Sequence, residues 1–368
     1  MTEPSRRGKL QTLVVSDLHL GSVTKLAVLR DPAVRAALVR AVQDCDRLVI
    51  LGDLLELRHG PERDALGAAR EVLAEIGAAL GAEREVVILA GNHDHPLLDG
   101  WLVRRTRDGR PAPMGLETEV DWQPGEPLAE IAQWLAPARV RGAYPGIWLR
   151  DDVYATHGHY ADLHLTIPTM ERLAAGVMGR VVGLPPGGPP APATAEDYES
   201  ALAPIYAWIH AIAQRVDPQR GGTLHNSSVR GWVALTGPGR RNLRRRSLAL
   251  AYPAVIAALN RAKLGPLHSE LTGPALRRAG LRGIDEALSR LGVGAEHVIF
   301  GHTHRAGPLP DDDQSEWRTL GGGRLVNSGC WVSEPSFLGA SPRRSPYRVG
   351  FAVWVGDAGP PVLGNLLD

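Results

Sequence analysis

Lysine is nearly absent from this chain. It occurs at Lys9, Lys25 and Lys263 only, so 41 − 3 = 38 of the basic residues are arginine. Alongside abundant Ala, Gly and Pro, this is a bias of a GC-rich coding sequence and says little about function. Cysteine is scarce too: Cys45 and Cys330 form no CxxC pair. That excludes a disulfide framework and a thiolate metal site. Long apolar runs are missing. The polar segment 1–9 leads into an apolar run too short for a secretory signal, and the best span candidate, 247–259, contains Pro253. A membrane-crossing helix needs ~20 apolar residues. No transmembrane segment is expected, and the cytoplasm is the expected compartment. Charge of one sign is also lacking, because the formal net charge is +1. A long nucleic-acid track would need a basic field, so nucleic acid is not the expected partner. What remains is a folded chain of 368 residues with 44% hydrophobic content, enough for one large domain or a core with an insertion.

Five short apolar runs each end in a polar cluster. Leu13-Val14-Val15 leads into Ser16-Asp17-Leu18-His19, and Leu48-Val49-Ile50-Leu51 into Gly52-Asp53. Val86-Val87-Ile88-Leu89 leads into Ala90-Gly91-Asn92-His93-Asp94, Val153-Tyr154-Ala155 into Thr156-His157-Gly158-His159, and Val298-Ile299-Phe300 into Gly301-His302-Thr303-His304. Such runs read as strands buried on both faces, delivering Asp, Asn and His at their C-terminal tips, where open α/β sheets bind ligands. Helical periodicity falls at 32–42 and 65–80. Segments 141–149 and 153–155 read as paired strands turned at Pro145-Gly146, and the tail repeats the strand habit at 325–326 and 348–355. From about 161 to 295 the pattern changes to helical stretches at 195–216, 243–262 and 283–291 around a Gly- and Pro-rich loop at 183–192.

Taken singly, these clusters are common. Asp17 and His19 lie two apart, so their side chains share a face, and a carboxylate with an imidazole suits a divalent transition metal. Gly52-Asp53 is an ordinary turn dipeptide. Asn92-His93-Asp94 groups three possible ligands or acid–base groups, and Gly301-His302-Thr303-His304 adds two imidazoles beside a glycine. The order of all five is what is specific.

That order resembles the calcineurin-like metallophosphoesterases at all five motifs, from Asp17 to His304. The resemblance implies an α/β (α+β) fold: a four-layer sandwich of two β-sheets flanked by helices, with a mostly helical cap inserted. The core would comprise 1–161 and 296–368, and the cap 162–295. It implies two divalent metal ions, Mn first, with Fe or Zn as alternatives. Asp17, His19, Asp53 and His304 would hold one; Asp53, Asn92, His157 and His302 would hold the other, with Asp53 bridging. Two such cations about 3.5–4 Å apart clamp phosphoryl oxygens and activate a bridging water as hydroxide. By the same resemblance His93 stabilises the transition state or protonates the leaving group, while Asp94 either orients His93 or caps a turn.

Gly52-Asp53-Leu54-Leu55-Glu56 and Gly301-His302-Thr303-His304-Arg305 resemble one branch, the UDP-diacylglucosamine hydrolases, which cleave a pyrophosphate in lipid A synthesis. The chain departs from that branch at His93, where those enzymes carry Arg, and at His159, where they carry Asp. Its interval from His157 to His302, 302 − 157 = 145 residues, is also longer. The chemistry therefore carries over and the substrate does not. The expected reaction is hydrolysis of a phosphodiester or pyrophosphate on a small-molecule or lipid-linked substrate. The rivals are a phosphomonoesterase, a nuclease and a catalytically idle binding scaffold. Arg240, Arg241, Arg244, Arg245 and Arg246 form a basic cluster that suits a phosphate-rich substrate, peripheral contact with an anionic membrane, or simply a solvated face. Trp208, Trp232 and Tyr252 either line the cap or join its core.

Overall fold

The computed structural model describes residues 11–22, 27–107, 109, 111–215, 243–270, 272–339 and 341–368. Of the expected features, Trp232, Arg240 and Arg241 lie outside these residues, as do the side chains of Arg244, Arg245 and Arg246.

All five apolar runs form strands: β1 (Thr12–Val15), β2 (Arg47–Leu51), β3 (Glu85–Leu89), β6 (Val153–Thr156) and β7 (His297–Phe300). They are joined by β4 (Glu117–Val120), β5 (Arg139–Arg150), β8 (Arg324–Asn327), β9 (Phe351–Val355) and β10 (Val362–Asn365). Hydrogen bonding runs in the order β10-β9-β1-β2-β3-β5-β6-β7-β8, with β4 on β5.

The pivot is β5. It pairs with β3 through Arg139–Gly142 and with β6 from Gly146 onward, so one strand serves two half-sheets. The turn expected at Pro145-Gly146 is not there. Gly146 keeps a φ outside the left-handed region, and the strand continues to Arg150 before reversing. The glycine answers a different need: a Cβ at this position would collide with the Tyr154 ring and hydroxyl. It is small because β6 lies close, not because the chain bends.

Side-chain alternation sorts the core into layers. Val14, Val49 and Val87 from one half-sheet meet Ile147, Val153, Ile299 and Val326 from the other in a central cluster. Leu13, Leu48 and Val86 point the opposite way, onto the helices α1 (Pro32–Gln43) and α2 (Glu62–Leu80). Tyr154, Val298, Phe300 and Leu325 point outward from the second half-sheet. The result is helix, sheet, sheet, helix, the four layers expected. Pro32 opens α1 behind Asp31, whose carboxylate accepts from the Ala33 N–H, a standard N-terminal arrangement.

The remaining helices are α3 (Asp99–Arg107), α4 (Pro127–Trp134), α5 (Met170–Val181), α6 (Ala195–Ala213), α7 (Leu243–Arg261) and α8 (Gly273–Leu291). The last begins ten residues before the periodicity suggested, since 283 − 273 = 10, behind a Thr272 cap. Its Leu281, Ile284 and Leu288 pack against Tyr154, Val298 and Phe300. It is thus an outer layer of the sandwich rather than part of a lid, which leaves α5 and α6 beside the strand tips. Cys45 and Cys330 are buried and unpaired with each other. No helix among the described residues is long and apolar enough to cross a membrane.

The central cluster sets a stability expectation. Ile147 has no solvent exposure there, so Ile147→Ala is expected to lower unfolding free energy by about 2–5 kcal/mol, read from urea denaturation. A loss below about 1 kcal/mol would mean the half-sheets are not closely packed at this point.

Candidate metal centre

Each motif residue leaves the C-terminal tip of its strand: Asp17 and His19 after β1, Asp53 after β2, Asn92, His93 and Asp94 after β3, His157 after β6, His302 and His304 after β7. The tips are strained. Among the described residues, six non-glycine positions have positive φ, and five of them are Asp17, His19, Asp53, His302 and His304. Such conformations cost of order 1–3 kcal/mol each and persist where the surroundings enforce them. At Asp17, His19 and Asp53 main-chain bonds between tips do so, and the His302 N–H donates to the Asp17 carboxylate (3.1 Å). The Asp17 N–H donates to the Gly52 carbonyl (3.1 Å), the His19 N–H to the Asp53 carbonyl (2.9 Å), and the Trp331 N–H to the Asp17 carbonyl (3.0 Å). Gly91 is required by closeness: a Cβ there would strike the Asp53 carboxylate and the His157 ring.

The side chains converge in two groups that share Asp53. Asp17, His19, Asp53 and His304 each offer one donor atom, all within 4.8 Å of one another. Asp53 Oδ2 lies 3.6 Å from His19 Nε2 and 3.5 Å from His157 Nε2. Asn92 Oδ1 is 3.1 Å from both His157 Nε2 and His302 Nδ1. All seven residues expected as ligands are therefore in one place, with Asp53 between the groups.

The donor set fits divalent cations. Asp17 Oδ1 is buried, accepts no well-aligned hydrogen bond and lies 3.2 Å from His304 Nε2. His19 Nε2 and His304 Nε2 face each other at 3.1 Å. The Asn92 amide would satisfy its neighbours as a hydrogen-bonding group only if turned over, with Nδ2 toward the two imidazoles and Oδ1 toward Arg58. As it stands, Oδ1 faces two imidazole nitrogens, the arrangement of a ligand oxygen. Oxygen and imidazole donors suit Mn, Fe or Zn.

The outer nitrogens are also occupied, which fixes each ring's tautomer. His157 Nδ1 donates to the Leu51 carbonyl (2.9 Å), His302 Nε2 pairs with Asp162 Oδ1 (2.9 Å), and His19 Nδ1 pairs with Glu56 Oε2 (3.2 Å). Glu56 holds His93 as well, with His93 Nδ1 at 2.9 Å and 3.0 Å from its two oxygens. Asp94 does not. Its buried carboxylate accepts from the N–H groups of Gly91, Asp53, Leu54 and Leu55 and ties the β2 and β3 tips together. Of the two roles open to Asp94, turn capping is the one its contacts match, and the carboxylate that orients His93 is Glu56.

Burial and charge set the protonation states. Burial would push the Asp53 carboxyl up, but His157, His93 and His19 hold it well below the ordinary range. Asp17 is likewise lowered against its burial, chiefly by His304. Burial would lower His19 and His157, yet Glu56 and Asp53 raise the former to about 9, and Asp53 with Asp17 raises the latter to about 10. Burial instead dominates at His93, and with Arg58 nearby lowers it to about 4. Behind the tips, the Glu199 carboxylate from α6 accepts from Tyr160 (2.6 Å) and Tyr144 and pairs with His95 Nε2 (2.8 Å). His159 Nε2 bonds the Tyr144 hydroxyl (3.0 Å).

Residues 10–178 match the calcineurin-like phosphoesterase family. The chain carries a calcineurin-like phosphoesterase domain. It is accordingly a metal-dependent phosphoester hydrolase, and His302 and His304, beyond the matched stretch, are brought back to the site by β7. No curated protein matches the chain in sequence. Among solved structures, a dimetal phosphatase from Danio rerio shares 12% identity over 97% of this chain and 99% of its own, with a TM-score of 0.36. A cold-active protein-tyrosine phosphatase from a psychrophilic Shewanella species shares 14% identity over 98% of this chain and 78% of its own, with a TM-score of 0.31. Likeness at that level carries no structural argument.

The residues that motif reading passed over as site residues are Glu56, Arg58 and Asp162. Glu56 stands three positions after Asp53, and that fixed interval was its one visible signal. Nothing in the sequence marks Asp162.

The raised imidazoles give a signed pH expectation. A histidine whose folded pKa exceeds its ordinary 6.5 contributes stability that is full below 6.5 and is lost as pH rises through the folded value, here about 9 for His19 and about 10 for His157. Chelator-treated protein is therefore expected to lose thermal stability between these limits. Uptake of a divalent cation should release protons, measured by calorimetry in buffers of different ionisation enthalpy. Uptake without proton release would show that these imidazoles are not displaced as ligands.

Proposed function

We propose that the chain hydrolyses a phosphodiester or pyrophosphate rather than a monoester, using two manganese ions held by Asp17, His19, Asp53, Asn92, His157, His302 and His304. The observation that carries this reading is a pair of clefts meeting at the centre. One, of about 320 Å³, is walled by Phe300, Trp317, Tyr347, Arg277 and Arg305. The other, of about 470 Å³, lies between α5 and α6. Both include His93, Asp162 and Glu171 in their lining. A monoester has one arm to place, whereas a diester or pyrophosphate has two.

Bound in this donor set, divalent cations acidify a water and polarise the phosphoryl oxygens. The chain's own residues do the rest. Asp53 keeps both groups of ligands in register. Glu56 holds His93 Nδ1, leaving Nε2 on the cleft side, 3.5 Å from Arg58 Nη1. From there the neutral His93 takes at Nε2 the proton that the attacking water gives up as its oxygen bonds phosphorus and returns it to the leaving oxygen as that P–O bond breaks, with Glu56 stabilising the imidazolium in between. The helices α5 and α6 form the cap and limit which arms can enter.

Metal-stripped protein is expected to hydrolyse bis(p-nitrophenyl) phosphate only when Mn is restored, and to prefer it to p-nitrophenyl phosphate by tenfold or more in kcat/KM. Preference for the monoester would overturn the diester reading. His93→Ala should lower kcat by about 10²–10⁴ while metal content stays at two ions per chain. Loss of metal in that variant would make His93 a ligand instead.

A further inference from the structure

The cleft between α5 and α6 has a chemistry unlike the rest of the site. Leu173, Ala174, Val177 and Met178 line it from α5, and Leu202, Ile205 and Ile209 from α6. Polar groups gather at its inner end, where Arg58, His93 and Asp162 stand. Arg58 is held in place there. Its Nη2 and Nε donate to the Asn92 carbonyl at 2.7 Å and 3.1 Å, and its guanidinium lies 5.4 Å from the Tyr206 ring centre. Part of its lining is apolar and open to solvent: Met170 is 49%, Val177 51% and Trp208 63% exposed. Ten large hydrophobic side chains are exposed among the described residues; these three, with Val181 and Val182, come from α5, the residue that caps its C-terminus and α6, and three of the ten line this one cleft. Scattered exposed apolar residues need no explanation, but a contiguous group beside a cavity does.

We propose that this cleft is a binding subsite for a hydrocarbon arm of the phosphoester. The arm runs outward between α5 and α6 from a phosphoryl group seated beside Arg58 and His93. The inference rests on the phosphoester reading above and adds the class of substituent. Three features select this occupant. The cleft is continuous with the metal-ligand tips, so whatever fills it is attached to, or ends at, the reacting group. Its cation sits at the inner end only, matching a molecule with an anionic head and an uncharged tail. Besides Arg58, His59, His93, Asp162, Glu171, Tyr206 and the Trp208 indole, its walls are apolar side chains of α5 and α6, so a sugar or peptide arm lying along them would enter at the cost of its bound water. Trp208, one of the aromatics expected at the cap, is part of this lining. Tyr252 is not among the residues that line the cleft.

Removal of one methylene from water is worth roughly 0.8 kcal/mol, or about fourfold in affinity. Wild-type protein loaded with Mn is therefore expected to bind methyl octyl phosphate at least 30-fold more tightly than dimethyl phosphate, measured by calorimetry below the micellar concentration. The ratio should fall to less than threefold in Val177→Glu/Trp208→Ala, two changes at exposed positions that the fold tolerates. Equal binding of the two probes by the wild type overturns the proposal, because it means the cleft does not take the tail. Retained preference in the double variant also overturns it, by placing the tail elsewhere. Hydrolysis is scored separately with p-nitrophenyl methyl and p-nitrophenyl octyl phosphate. Failure to cleave either ester, with chain-length-dependent binding intact, would sink the hydrolase assignment of these arms and leave the subsite standing. Cleavage of both at equal kcat/KM, with equal binding, would do the reverse.

Discussion

The Asp53 carboxylate is the constraint on which the site depends. It is 1% exposed and lies between imidazoles delivered by different half-sheets, His19 from β1 and His157 from β6. A buried carboxylate is tolerable only with compensating charge. Asp17 and Glu56 deepen the same demand. The imidazoles it raises offset it in the metal-free protein, and divalent cations held by the same residues would offset it when bound. The depressed carboxyls and the raised His19 and His157 are therefore aspects of a single fact: negative charge is concentrated where water is excluded.

The sandwich exists in a form that makes this concentration possible. Because β5 changes partner midway, the tips of β1, β2 and β3 come to the same edge as those of β6 and β7. The central cluster of Val and Ile side chains keeps the two half-sheets in fixed relation, and main-chain bonds between tips hold Asp17, His19 and Asp53 in the left-handed region. The flanking carboxylates then aim the rings. Glu56 serves His19 and His93 together, Asp162 serves His302, and Asp94 fastens two tips through four backbone N–H groups. Position and protonation are thus decided by neighbours at least as much as by the ligands themselves.

Above the centre, α5 and α6 differ from α8 in what they cover. The latter packs its Leu and Ile residues onto a sheet and is part of the sandwich. The former pair leave apolar side chains facing a cleft and solvent. Glu199 anchors α6 at the tips through His95, Tyr144 and Tyr160, so this wall of the cleft is joined to the loop that carries His93.

Much of this was legible in the sequence. Five apolar runs, each ending in Asp, Asn or His, determined the strands and the edge at which they would deliver polar side chains, because period, burial and strand-end chemistry are local properties; the seven candidate ligands followed from the resemblance. The order of the motifs carried the family. Only the tertiary structure decided the rest. Pro145-Gly146 has the composition of a turn and lies within a strand, since what Gly146 answers is the nearness of Tyr154, a residue eight positions on. Asp94 sits beside His93 in sequence but binds backbone, while Glu56, 37 positions away, holds the ring. Asp162 reaches His302 across 140 positions. Contacts of this kind depend on how separate strand ends are brought to one edge, and no local pattern encodes that distance.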